Sequence, residues 1–361
     1  MEVRSPLTGA RGVCLPFADF CEPICRREEF GVRSSEIADR SSENSSVDSP
    51  SPLSPLLSPL SELRTPNSEL RLLMLAAAVE LGRDRGWRYL EFRGEVPGFG
   101  SFESGFGPPT PSVTLWEHLV ELSPDPDTLL SRCDPGTRRA IRKAERSGVR
   151  VEIRDDLSAL REYYRLHGLT RRKHGLPPQP WRFFQRIHEH LLARGKGFVA
   201  LARSGERREK SGERSSESGD GVSDEIHGIS HSPLSELRAI AGAVFLLHGD
   251  SAIYKFGGSD DRFLGLRPNN LVMWQSILRC RELGVRRLSL GRTDLRQEGL
   301  RRFKSGWGSI EERRHYYRLD LRSNRWVPER DLRFGWHNHA FRALPLFAAR
   351  WAGRILYPHL D

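Results

Sequence analysis

The chain has 361 residues, room for two ordinary domains, with 37% apolar and 29% charged residues, a net charge of +10 and a pI near 9.7. Apolar content this low implies that part of the chain is not packed, and the longest apolar run, the eight residues Leu72–Val79, is too short for a membrane-spanning helix. The basic balance favours anionic partners, and five cysteines without a CxxC pair argue against a zinc site or a disulfide framework.

The opening stretch MEVRSPLTGARG has no hydrophobic leader, which points to a cytoplasmic location. After VCLPFADFCEPI comes a segment, 33–67, rich in Ser, Pro, Glu and Arg; a second of the same character spans 204–238. Both contain SPLSELR and RSSE, and both are almost free of the aromatic and β-branched residues that would offset chain entropy, so they are expected to be disordered insertions. Between them, LLMLAAAVELGRDRGWRYLEFRG predicts a helix capped by Asn67 or Ser68, a stop at Gly86 and a strand. NLVMWQSILRCRELGVRRLSLGR predicts the same unit again, with Asn269 or Asn270 as cap and Gly284 as stop. This echo suggests two α/β domains of related topology.

Asp134 or Thr137 starts a helix that Gly148 ends, and VRVEI follows as a strand. Arg138, Arg142 and Arg146 share one face of that helix, with Arg139 and Lys143 beside them, either as a solvated surface or as a wall for phosphate or RNA backbone. Two helices follow, then the strands GFVALAR, AIAGAVFLLHG and SAIYKFGGS, so the second insertion falls in a hairpin loop. Tyr254 and Lys255 alternate on the third strand, so that one faces a cleft if the other faces the core. Gly257 and Gly258 admit close backbone approach, and the helix start after Pro268 offers N–H groups to an anion. Arg292 and Asp294 stand at the C-terminal end of the next strand, and the helix after it carries Arg301 and Lys304. In the tail, Phe341, Leu344, Phe347, Trp351 and Ile355 lie near one helical face, expected to dock on the core, with membrane-surface contact as the alternative.

YKFGGSDDRFLGLRPNNLVMWQSI followed by LSLGRTDLRQEGLRRFKSGWG resembles the second domain of FemAB-type proteins, a branch of the GNAT acyltransferase superfamily that includes a group linked to exopolysaccharide and cell-envelope loci. VCLPFADFCEPI and TRRAIRKAERSGVRV resemble that family's first-domain and interdomain stretches. The resemblance implies two tandem GNAT-like domains: a partial first one over 1–132, truncated because the chain starts just before LPF, a basic interdomain helix over 133–148, a second domain over 149–326 and a helical tail over 327–361. It further implies transfer of an acyl or aminoacyl group to an amine of a cell-envelope or polysaccharide precursor, without a covalent acyl-enzyme. Lys304 is the residue carried over as catalytic, stabilising the tetrahedral intermediate. Tyr254, Lys255, Gly257, Gly258, Arg262, Asn269, Asn270, Arg292, Asp294 and Arg301 are the candidates for binding donor or acceptor.

The donor is expected to be acyl-CoA or aminoacyl-tRNA, with no cofactor or metal bound. Arg262 and Gly265 fit the CoA-binding pattern of GNAT enzymes, but Arg267 stands at its last small-residue position, which counts against acyl-CoA. Partners expected are an anionic or lipid-linked glycan precursor, tRNA in an aminoacyl-tRNA-dependent peptidoglycan reading, and a peripheral membrane surface; DNA is not expected. A non-catalytic truncated relative acting as a binding protein is the remaining alternative.

Overall fold

The structure, a computed structural model, describes residues 2–5, 9–13, 66–94, 108–204, 238–328 and 341–356. The N-terminal part comprises strands β1 (Glu2–Ser5) and β2 (Gly9–Val13), helix α1 (Pro66–Asp84), β3 (Tyr89–Arg93), β4 (Val113–Glu121) and α2 (Pro126–Arg132). It continues through α3 (Pro135–Arg146), β5 (Val149–Arg154), α4 (Leu157–Lys173), α5 (Trp181–His190), β6 (Gly197–Ser204), β7 (Ala241–His248) and β8 (Ser251–Ser259). The remainder is α6 (Pro268–Glu282), β9 (Arg287–Asp294), α7 (Glu298–Ser305), β10 (Ile310–Asp320), β11 (Arg325–Trp326) and α8 (Leu346–Leu356). The two low-complexity segments lie between β2 and α1 and between β6 and β7; residues 33–65 and 205–237 of them, and the LPF stretch, are outside the described residues.

Aspartates set several helix starts. Asp125, Asp134 and Asp156 keep an extended backbone and accept hydrogen bonds from first-turn N–H groups of α2, α3 and α4, a cap worth about 1 kcal/mol each. At α6 the expected cap is not used. The helix begins at Pro268, Arg267 precedes it in the left-handed region without a side-chain cap bond, and Asn269 lies inside the first turn with its amide on Ser259 Oγ at 3.3 Å. Proline's fixed φ favours the first helical position, which draws the start ahead of both asparagines.

All eleven strands form one mixed sheet in the order β1-β2-β3-β10-β4-β9-β8-β7-β6-β5, with β11 on β10. β6 is buried along its whole length because helices cover both of its faces. Phe198, Ala200 and Ala202 pack with α3 and α6 through Ile141, Ala144, Leu271 and Met273; Val199 and Leu201 pack with α4 and α5 through Leu160, Tyr163, Phe184 and Ile187. The alternation places successive residues of one strand in two different cores.

The helix–glycine–strand echo is a real structural repeat. Gly86 and Gly284 have φ of 65° and 77°, and the next residue's N–H reaches back five residues in each case, Trp87 to Gly82 O at 2.7 Å and Val285 to Cys280 O at 3.0 Å. Each unit is an antiparallel hairpin (β1–β2, β7–β8) whose second strand crosses through a helix to a parallel neighbour, β3 or β9. The hairpin β1–β2, ahead of LPF, completes the first copy and is not anticipated from the sequence. The strands that follow are exchanged: β4 pairs β9, and β10 lies between β3 and β4. Consequently Leu319, Leu321 and Trp326, from the second half, complete the small core of Leu75, Val79, Trp87 and Leu90 in the first.

Candidate active site

β8 and β9 pair only where Ser251–Ile253 meets Arg287–Ser289; beyond that, β8 stays with β7 and β9 stays with β4, so the two parallel strands diverge. A ladder irregularity flanks the divergence on each side. Val244 and Phe245 face Phe256 and Tyr254, which leaves Lys255 as the extra residue of β8. Glu117 and Leu119 face Arg292 and Ser289, which leaves Leu290 and Gly291 opposite His118. Gly291 has φ 71°, a conformation glycine adopts at little cost, and such bulges bend strands and re-aim their side chains.

The carbonyls at this second bulge are held by Lys304. Its Nζ donates to Gly291 O and Arg292 O, both at 2.9 Å, and the residue is only 3% exposed. Beside it His118 is fully buried. Its Nδ1 lies 3.4 Å from Glu311 Oε1 and 3.5 Å from Ser309 Oγ, and its Nε2 has no hydrogen-bond partner among the described residues. Burial, aided by the charges of Lys304 and Arg301 and opposed by Glu311, pulls the His118 pKa down to about 4, so the ring is neutral near pH 7. Arg301 grips Glu311 bidentately at 2.9–3.2 Å and holds its carboxyl below the usual range, with help from Ser305 Oγ at 2.5 Å. The Arg301 guanidinium also lies over the Trp116 ring at 4.1 Å.

On the β8 side, Tyr254 turns into the core against Phe245, and burial pushes its phenol up to about 12. Its hydroxyl fills the space where a Cβ on Gly257 would stand, while Gly258 meets the backbone of α4 at Leu166 and His167. Both glycines thus admit the protein's own atoms. Arg262 is bound by Asp260 at 2.5–2.9 Å. Arg172, Lys173, Asp261 and Arg342 join this pair around a cavity of 540 Å³ at the end of β8. Arg292 turns toward Tyr316, donating to its hydroxyl at 3.2 Å, and Asp294 Oδ1 accepts the Arg296 N–H at 2.9 Å in the turn before α7. A second cavity, 380 Å³, crosses β8, β9, β4 and β10 among Glu117, Ser289, Arg287, Glu312 and Arg314.

The fold therefore gathers Arg292 and Asp294 at the end of β9 with Arg301 and Lys304 of α7, and places Tyr254, Lys255, Gly257 and Gly258 on β8, Arg262 in its connection to α6, and Asn269 and Asn270 in the first turn of α6. Sequence reasoning missed His118, Glu311 and Trp116. The available signal was the slip in apolar alternation at Glu117–His118 within TLWEHLVE, which marks the bulge. Among the described residues no group of three or more His, Cys, Asp or Glu could hold a metal ion, and no helix is long and apolar enough to cross a membrane.

The model of the family described as Acetyltransferase (GNAT) domain matches residues 132–208 and 235–307, on either side of the second low-complexity segment. No curated protein matches the sequence. Among solved structures, the chain is similar to a crystal structure of FemX, with 15% identity over 69% of this chain and 76% of that one and a TM-score of 0.48. It is also similar to L-PGS from Bacillus licheniformis (12%, 79% and 78%, 0.41) and to a tandem GNAT protein from the clavulanic acid biosynthesis pathway (11%, 72% and 72%, 0.41). The opened pair β8–β9 lies within the matched segments, over which the chain carries an acetyltransferase (GNAT) domain.

Proposed function

We propose that the protein transfers an acyl or aminoacyl group to an amine of a cell-envelope or polysaccharide precursor, by direct attack of the amine on the donor carbonyl. The observation that carries this reading is the divergence of β8 and β9 beyond Ile253 and Ser289, with a bulge on each side. A strand edge released in this way offers backbone N–H and C=O groups to the transferred acyl or aminoacyl group and to the acceptor amine. The first turn of α6 contains no acidic residue and has no side-chain cap; Pro268 has no N–H and the Asn270 N–H bonds Arg267 O at 3.1 Å, so it is the Asn269 N–H at the positive end of the helix that could meet a donor phosphate. Lys304, buried with its Nζ on Gly291 O and Arg292 O, places a positive charge where β9 leaves the ladder, and its assigned role is to stabilise the developing oxyanion through that charge.

Arg267 favours aminoacyl-tRNA over acyl-CoA as donor. It takes φ 58° at the position where GNAT enzymes carry a small residue, so a side chain stands at the pyrophosphate's approach. Arg139, Arg142, Lys143 and Arg146 on α3 are exposed and could meet RNA backbone. A donor screen tests both readings. Transfer from charged tRNA that is abolished by ribonuclease supports the tRNA donor, and ribonuclease-insensitive transfer from acyl-CoA rejects it. Unchanged turnover in Lys304→Met would remove Lys304 from the mechanism.

A further inference from the structure

We propose that α8 is an interfacial helix that docks the protein on an anionic lipid bilayer. The inference concerns location and does not rest on the transfer reaction. α8 packs on α4 through its small residues: Ala349 and Gly353 are buried, Gly353 against the Pro178 carbonyl, and Leu346 sits in the notch left by Gly168. Arg350 lies over the Tyr164 ring at 5.0 Å. The residues expected to dock are the ones left outside: Phe347 is 77% exposed, Trp351 68% and Ile355 46%. Their spacing of four places all three on one row of the helix. Other exposed large apolar residues, such as Leu81 and Leu300, show no such row, and Phe347 and Trp351 are the two most exposed among the described residues.

The charge around this row identifies its occupant. Residues 341–356 contain Arg342, Arg350 and Arg354 and no acidic residue, and Arg342 and Arg354 are exposed. Arg342 joins Arg172 and Lys173 of α4 at the rim of the neighbouring cavity. An aromatic row flanked by arginines complements anionic headgroups, with the rings at the acyl boundary and the guanidiniums among the phosphates. A second copy of this chain would oppose its own positive stripe across a two-fold interface. At eleven residues α8 is too short to span a bilayer and would lie in its plane.

The test is co-sedimentation of the full chain with phosphatidylcholine vesicles, with and without phosphatidylglycerol. The expected result is binding only to the anionic vesicles, weakened by salt. Phe347→Ser/Trp351→Ser should lower partitioning about tenfold or more with the melting temperature unchanged, because both side chains lie outside the core. Arg354→Glu should reduce the preference for phosphatidylglycerol. Failure of the wild type to bind overturns the proposal, as does equal binding by the double variant, which would assign the effect to overall charge. A dimer in light scattering that the same double variant dissociates also overturns it, by giving the row to a second copy.

Discussion

Lys304→Ala removes the ammonium that holds Gly291 O and Arg292 O, each at 2.9 Å, in a place only 3% exposed. A buried carbonyl stripped of its donor costs about 1–3 kcal/mol, and two are affected. The deleted stem adds a cavity term, while the desolvation cost of a buried ammonium is recovered. The net loss is about 3–4 kcal/mol, a large fraction of the ~5–15 kcal/mol that stabilises a typical domain, so the variant folds but is weakened. Lys304→Met keeps most of the stem and should lose about 2–3 kcal/mol, isolating the carbonyls' share. Urea denaturation read by far-ultraviolet circular dichroism measures both. An unfolding midpoint for Lys304→Ala equal to the wild type's would refute the structural role given to the bulge contacts. Activity of either variant then has meaning only at urea-free temperatures where its native signal matches the wild type.

Acid should destabilise the protein in the range where two buried histidines stay neutral. Burial drives His167 down to about 3, with its Nε2 on Gln179 Oε1 at 2.6 Å, and His118 down to about 4, both from 6.5. Protons therefore bind the unfolded chain first, so the stability present above pH 6.5 falls as the pH drops through that value and levels off near pH 4 for His118 and near pH 3 for His167. At pH 4.5 each contributes roughly 2–3 kcal/mol of loss, and His118→Gln should remove its share of the pH dependence of the urea midpoint. A wild-type midpoint flat between pH 7 and 4.5 would contradict the assignment. At Arg267, the left-handed φ of 58° costs a non-glycine residue about 1 kcal/mol, so Arg267→Gly should hold or raise the melting temperature. A drop of more than a few degrees would show that the side chain makes a contact outweighing the strain.

Helix boundaries were legible because they are local. The cap at Asp134, the stop at Gly148 and the paired stops at Gly86 and Gly284 depend on residues a few positions apart, and the chemistry of those residues was enough. The candidate site was legible in outline for the same reason, since Arg292, Asp294 and Lys304 follow one strand end in sequence. The glycine pair was expected to admit a ligand; the atoms that approach it in the structure, the Tyr254 hydroxyl and the backbone of α4, come from packing.

The amino-acid sequence by itself determined the α/β class, the two low-complexity segments, the repeated unit and the GNAT-type domain that contains β8 and β9. Tertiary structure alone decided that β10 lies between β3 and β4, that a bulge opposite His118 needs Lys304, and that α8 turns its aromatic residues outward. The order β3-β10-β4-β9 and the bulge opposite His118 arise from pairings more than a hundred residues apart, whose free energy no local pattern records. The face a helix buries is set by the surface it meets. Here that surface is a notch at Gly168 of α4, which takes Leu346, and the Pro178 carbonyl beyond α4, which comes so close to Gly353 that a side chain there would collide, so Phe347 and Trp351 are left outside.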